Sequence, residues 1–354
     1  MRVFNFFVVS VSLLAVTGCF DWFSSERKPA VNSPSTPVGV STFEVKLPEV
    51  MKAVPVEVWY PTRLTLPGEV YWYGLFGAEA HRDAEWSGDA SEKLPLVVLS
   101  HGDKGSRGSL VWLAQFLAEK GYIVLAPDHP GNAYGDVDPV ASFEIWKRPV
   151  TISRVLDWAL EQSPFKARVN REQIAVVGFS LGGYTALALA GVRWDLGKFK
   201  KSCDTESTGQ DCSFLSQSRN FAEETQFAEQ DLSDKRIGSV VSIAPAWGPG
   251  VIEDSAKKVS VPLLLVASED DEVLSWKANA SHYAELFTGE KNHWVKRGGH
   301  WVYLSRCATD KKQFAPELCG EEQDQLRQQV HPELKKVILN FLNNSLEKNR
   351  SASL

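Results

Sequence analysis

The stretch that most constrains this chain of 354 residues runs from Gln173 to Tyr184: Gln-Ile-Ala-Val-Val-Gly-Phe-Ser-Leu-Gly-Gly-Tyr. It opens as a continuous apolar run and turns between Gly178 and Gly182. It then continues into Thr185–Ala190, a run of good helix formers. A strand, a tight turn and a helix are expected, with Ser180 at the apex of a Gly-x-Ser-x-Gly pentapeptide. A serine on such a turn stands above the sheet at a helix N-terminus, where a developing negative charge is favoured. A glycine-rich turn with a surface serine would share the spacing. The flanking strand and helix patterns favour a nucleophile.

The rest of the chain alternates in the same way. Strand patterns fall at 42–47, 54–60, 94–100, 122–127, 237–244, 261–267 and 291–296. Helical patterns fall at 109–119, 149–162, 276–286 and 321–346, with Pro332 as a candidate break. Strands alternating with helices imply an α/β fold, a mostly parallel sheet covered on both faces. Ligands in such sheets lie beyond the carboxyl ends of the strands. Two stretches do not fit the alternation. Residues 69–93 form an aromatic, acidic insertion with no evident place on the sheet, expected as a surface excursion near the cleft. Residues 193–235 are long, polar and charged, and are a cap or lid candidate.

A serine hydroxyl needs a base to take its proton, and the base needs an orienting acid. Of the seven histidines, His300 follows a strand in the glycine-flanked loop Gly298-Gly299-His300-Trp301, so it is the candidate base. His101 is expected to be structural, His293 packed or exposed within a strand, and His282 and His331 at the surface. The strand Val261–Ala267 runs into Ser268-Glu269-Asp270-Asp271-Glu272. Asp271 is the preferred acid and Asp270 the alternative. The amides of Leu181, after the serine, and Asp103, in the loop after the third strand, are candidate oxyanion donors. Trp194, Trp247 and Trp301 are candidates, with the 193–235 insertion, to shape an apolar pocket.

The N-terminus reads as a targeting segment, excluded from the fold. Val16-Thr17-Gly18-Cys19 resembles the lipobox of bacterial lipoproteins. That resemblance implies a signal peptide over 1–18 and lipidation of Cys19. A flexible tether is expected over 19–41 and a catalytic domain over 42–350. Phe20 after the cysteine leans the expectation to the outer membrane. Cys203, Cys212, Cys307 and Cys319 then remain; three pairings are open. Cys203–Cys212 and Cys307–Cys319, which close short loops, are favoured in an oxidising compartment.

Leu94–Gly102, Gly178–Gly183, Val266–Asp271 and Gly298–His300 together resemble the α/β-hydrolases. More narrowly, they resemble secreted platelet-activating-factor acetylhydrolases and dienelactone-hydrolase-like esterases, over roughly residues 42–345. The order serine, acid, histidine is the one this family uses. Two features differ. Dienelactone hydrolases proper carry cysteine at the serine position. The animal acetylhydrolases place their acid after the strand that follows the nucleophile helix, where this chain reads Ala244-Pro245-Ala246-Trp247. The acid therefore falls to Asp270 or Asp271. The resemblance implies an α/β-hydrolase fold and a serine carboxylic-ester hydrolase acting on a small ester or lipid through an acyl-enzyme. No metal or organic cofactor is expected. A net charge of -6 without a basic stripe argues against nucleic acid. The rival readings are a catalytically silent envelope lipoprotein and, lower, a prolyl-oligopeptidase-like peptidase, for which no propeller accompanies the fold.

Overall fold

Runs such as Leu96-Val97-Val98-Leu99 and Ala175-Val176-Val177 have no polar face, so they need a sheet covered on both sides. The structure, a computed structural model, describes residues 37–352 apart from 49–51, 65–67, 90, 206–209, 288–290, 296, 309–311 and 314. The expected signal peptide, Cys19 and nearly all of the expected tether lie outside the described residues.

Twelve strands are described in chain order: β1 (Val38–Val45), β2 (Val54–Pro61), β3 (Glu69–Tyr73), β4 (Phe76–Arg82), β5 (Leu94–Ser100), β6 (Ile123–Pro127), β7 (Asn132–Ala133), β8 (Asp136–Val137), β9 (Val169–Phe179), β10 (Ser239–Ile243), β11 (Leu263–Ser268) and β12 (Lys291–Val295). Ten of them form one sheet in the order β12-β11-β10-β9-β5-β6-β2-β1-β4-β3, and β7 and β8 form a small ribbon. From β12 to β6 every neighbouring pair is parallel, and β2 joins β6 antiparallel. The strand order reverses between β5 and β9, which opens a crevice at their carboxyl ends.

Alternate residues of the central strands feed two cores. Val98 and Val176 pack on one side with Ile152, Val155 and Leu187 of the helices Lys147–Glu161 and Leu181–Leu189. Val97, Leu99 and Val177 pack on the other with Leu113 and Leu117 of Val111–Glu119 and Leu334, Ile338 and Leu342 of the C-terminal helix. Each fully buried side chain of this size contributes roughly 1.5–3 kcal/mol. The C-terminal helix, Glu321–Ala352, runs through Pro332 without ending there.

Three expectations are corrected. β1 begins at Val38, inside the stretch expected as tether, because Val38 and Val40 are buried against β2. The insertion at 69–93 belongs to the sheet: β3 and β4 make an antiparallel hairpin, and β4 pairs parallel with β1. His331 is buried rather than exposed. It stacks on Trp112 at 4.0 Å between ring centroids and donates from Nε2 to the Val302 carbonyl at 2.8 Å.

The hairpin is tied to the sheet through a carboxylate. Glu57 on β2 is fully buried. It accepts from Tyr73 Oη at 2.9 Å and pairs with Arg82 at 3.1 Å and Arg107 at 3.3 Å. Burial and the Glu57 charge push the Tyr73 phenol far above its ordinary pKa, so it remains a donor. Removing one member of such a cluster leaves the others with unmatched charge. Glu57→Leu is expected to cost about 3 kcal/mol of stability, measured by urea denaturation. A loss below about 0.5 kcal/mol, the range of a surface substitution, would contradict this account.

Candidate active site

Ser180 stands between the end of β9 and the start of the helix Leu181–Leu189. Its φ of 56° and ψ of -117° place it where L side chains rarely settle. Three hydrogen bonds hold it there. Its N–H donates to the Ile243 carbonyl at 2.8 Å, and its carbonyl accepts from the amides of Tyr184 and Ala246, each at 3.2 Å. The neighbouring glycines are sterically required. A Cβ on Gly178 would lie 1.8 Å from the Gly182 carbonyl oxygen, and a Cβ on Gly182 would lie 1.9 Å from that of Ser100.

His300 Nε2 lies 3.0 Å from Ser180 Oγ, and His300 Nδ1 lies 2.7 Å from Asp271 Oδ2. A carboxylate only accepts, so the ring proton belongs on Nδ1 and Nε2 is left to accept from the serine hydroxyl. The imidazole is buried beside the rings of Phe179 and Trp301.

The acidic loop divides its work. Asp271 Oδ1 accepts from the amides of Val273 and Leu274 at 2.9 and 2.7 Å, which fixes its other oxygen on His300. Asp270 turns to the backbone, accepting from Gly299 and Gly298 at 3.2 and 3.3 Å and from the Ser268 hydroxyl. Burial opposes its charge, but these donors outweigh burial and hold its carboxyl below the ordinary range. Glu272 accepts from the His300 amide at 2.7 Å. A Cβ on Gly299, at φ +62°, would lie 2.2 Å from a Glu272 oxygen. Asp270 and Glu272 thus hold the loop, and Asp271 holds the ring.

The two expected amide donors flank the serine. Leu181 is the first residue of its helix, and Gly102 packs so closely that a Cβ there would lie 3.2 Å from Ser180 Cβ. Neither the Leu181 nor the Asp103 amide has a protein acceptor among the described residues. The Asp103 loop is braced from behind. Asn132 Nδ2 donates to Asp103 Oδ1 at 2.7 Å, and Asn132 Oδ1 accepts from buried Arg148 at 2.5 Å. Arg148 also donates to the His101 carbonyl. His101 donates from Nδ1 to the Gly102 carbonyl and accepts from the His129 amide. Burial, and secondarily the Arg148 charge, push the His101 pKa down to about 3, so it is a neutral strut and not a second base.

A cavity of about 440 Å³ opens on Ser180 and His300. Its walls include Tyr73, Phe76, Tyr134, Trp301, Leu304 and Leu318. The Cys307–Cys319 disulfide joins the segments that carry Leu304 and Leu318, and the Ala308 amide donates to the Leu75 carbonyl at 2.9 Å. The other disulfide joins Cys203 and Cys212. Of the tryptophans expected here, only Trp301 lines the cavity. Trp194 and Trp247 are buried in the core against Tyr184. No described residue of 193–235 lines it. Tyr73, Phe76 and Arg148 were not identified as site residues from sequence. The aromatic run Tyr71-Trp72-Tyr73 was the available signal for the hairpin's part, and nothing local marked Arg148.

A sequence model of the alpha/beta hydrolase family matches residues 97–310. Lysophosphatidylserine lipase ABHD12 of Xenopus tropicalis is 26% identical over 238 residues, 65% of this chain and 54% of the frog protein. Hydrolase acrC of Aspergillus aculeatus is 30% identical over 151 residues, 41% of this chain and 34% of the fungal one. The chain therefore spans about half or less of these relatives' length. Among solved structures, the ferulic acid esterase from Streptomyces cinnamoneus superimposes with a TM-score of 0.60 at 19% identity, covering 90% of this chain and 93% of that one. At that identity the likeness concerns the fold.

The division of labour in the acidic loop has a measurable consequence. Asp271→Asn is expected to slow fluorophosphonate labelling of Ser180 by about 10³–10⁴-fold, since the ring loses its tautomer. Asp270→Asn, which disturbs only the loop backbone, should slow it far less. Equal losses in the two variants would sink the distinction.

Proposed function

The chain belongs to the alpha/beta hydrolase family, and on that premise we propose that it is a serine carboxylic-ester hydrolase. The observation that carries the reading is the continuous relay from Asp271 through His300 to Ser180, at 2.7 and 3.0 Å, opening into an apolar cavity. Ser180 Oγ attacks the ester carbonyl carbon while His300 Nε2 takes its proton. Asp271 holds the Nδ1 proton and stabilises the imidazolium. The carbonyl oxygen becomes an oxyanion facing the Leu181 and Asp103 amides, each worth roughly 3–4 kcal/mol to the transition state. The tetrahedral intermediate collapses as His300 returns the proton to the departing alkoxide, leaving an acyl-serine and an alcohol. Water then gives a proton to His300 as it attacks the acyl carbon, and the second tetrahedral intermediate collapses as His300 returns that proton to Ser180 Oγ, which releases the acid.

The apolar, aromatic cavity fits the acyl or aromatic part of an ester. A lipase and an esterase among the similar proteins point the same way. A dipeptidyl aminopeptidase of Pseudoxanthomonas mexicana is 32% identical, but only over 110 residues, 15% of its length. The peptidase reading is kept as an outcome of the test. The intact relay disfavours a silent scaffold.

In purified wild type a fluorophosphonate should label one serine, and Ser180→Ala should abolish the label. The same variant should lower p-nitrophenyl butyrate turnover by at least about 10³-fold. Labelling that survives the substitution overturns the assignment. Faster turnover of dipeptide nitroanilides than of p-nitrophenyl esters favours the peptidase.

The same proposal includes the envelope. The lipobox-like Val16–Cys19 supports attachment through acylated Cys19, on the outer-membrane side of a bacterial envelope. Two or more acyl chains hold a protein stably where one does not. Radiolabelled palmitate should enter the wild-type chain in cells and not Cys19→Ala. Equal incorporation in both would reject the anchor.

A further inference from the structure

A second cavity, of about 600 Å³, lies behind the Asp103 loop and is larger than the one at Ser180. It opens between the segment 129–151 and the helix Phe221–Ala228 with the turn after it. Its walls are largely apolar: Leu47, Trp146, Phe227 and Leu232 line it, and the rings of Trp146 and Phe227 stack at 6.0 Å. Among the residues lining it is Arg148.

Arg148 is the unusual group. It is 4% exposed, and a guanidinium buried to that degree ordinarily faces a carboxylate. Here its partners are neutral: Thr185 Oγ1 at 3.2 Å, Asn132 Oδ1 at 2.5 Å and the His101 carbonyl. A guanidinium carries five N–H donors, so three acceptors leave capacity for a planar anion. Burial depresses the Arg148 pKa to about 9 and outweighs the attraction of its nearest counter-charge, Asp103, reached only through Asn132. His129 also lines the cavity, and its buried Nδ1 has no protein partner. The acids at the rim are already engaged. Asp138 accepts from the amides of Val140 and Ala141, and Glu144 pairs with Lys147 at 2.5 Å.

We propose that this cavity is a binding site for a carboxylate with an apolar body, its head on Arg148 and its tail against Trp146, Phe227 and Leu232. The site requires no reaction at Ser180, so it stands or falls apart from the esterase reading. It would also be felt there. Arg148 and Asn132 brace Asp103, so an anion on Arg148 redistributes the hydrogen bonds that hold the oxyanion loop.

The test is calorimetric titration of the full chain with sodium decanoate, with decanol as the uncharged probe. Decanoate should bind one per chain, and decanol at least about tenfold more weakly, the usual worth of a charged hydrogen bond. Leu232→Trp, which fills the cavity from a half-buried wall position, should weaken decanoate by a similar factor. Leu318→Trp, in the Ser180 cavity, should leave its affinity unchanged. Arg148→Met should abolish the preference for decanoate over decanol. If that variant fails to fold, the Leu232 and Leu318 pair still decides. Absence of decanoate binding at millimolar concentration overturns the proposal. So does equal binding of decanol, or affinity that follows Leu318→Trp instead of Leu232→Trp with both variants folded.

Discussion

The arrangement around Ser180 depends on a close approach between two pieces of backbone. Where β9 meets the following helix, Gly178 passes Gly182, and Gly182 passes Ser100, at distances that exclude any side chain. That contact forces Ser180 into a left-handed conformation costing roughly 1–3 kcal/mol. The surrounding strands hold it through the Ser180–Ile243 hydrogen bond and a fully buried sheet centre. The strain places a hydroxyl, a free amide and a helix N-terminus around one point.

Around that point the loops are held by buried polar groups. Arg148 and Asn132 brace the loop after β5 from one side, and Glu57, Arg107 and Asp128 tie it to β2 and β6 from the other. Asp270 and Glu272 do the same for the loop that carries His300. Buried charge is a poor source of net stability but a strong source of geometry, because each group tolerates few arrangements of its partners. The site is bounded by hydrogen-bonded loops on the sheet side and by mostly apolar walls on the open side.

Much of this was legible in the sequence, and what was not has physical reasons. Ser180 and His300 could be read because their environments are local: glycines and apolar runs write the turn geometry into consecutive residues. The acidic loop was harder. Four adjacent acids share one composition, and neighbouring side chains point in different directions, so their separate partners emerge only in three dimensions. Trp194 and Trp247 looked like pocket walls because an aromatic residue suits a cleft or a core equally well. Glu57 and Arg148 were hidden for the opposite reason. Glu57, a charge in an apolar run, suggests an exposed edge, Arg148 beside Lys147 reads as an ordinary surface base, and only the partners reveal that both are buried. The β3–β4 hairpin escaped because its strands pair at the sheet's far edge, where one face stays wet and polar residues are tolerated.

The Cys307–Cys319 bond joins the segments that carry Leu304 and Leu318, two walls of the Ser180 cavity. Ser180, Asp271 and His300 stand beyond the ends of β9, β11 and β12 and take no part in that bond. Two kinds of link therefore frame the opening: hydrogen bonds and close backbone contacts hold Ser180 and His300, whereas a covalent bond that forms only where thiols can be oxidised joins the segments bearing Leu304 and Leu318.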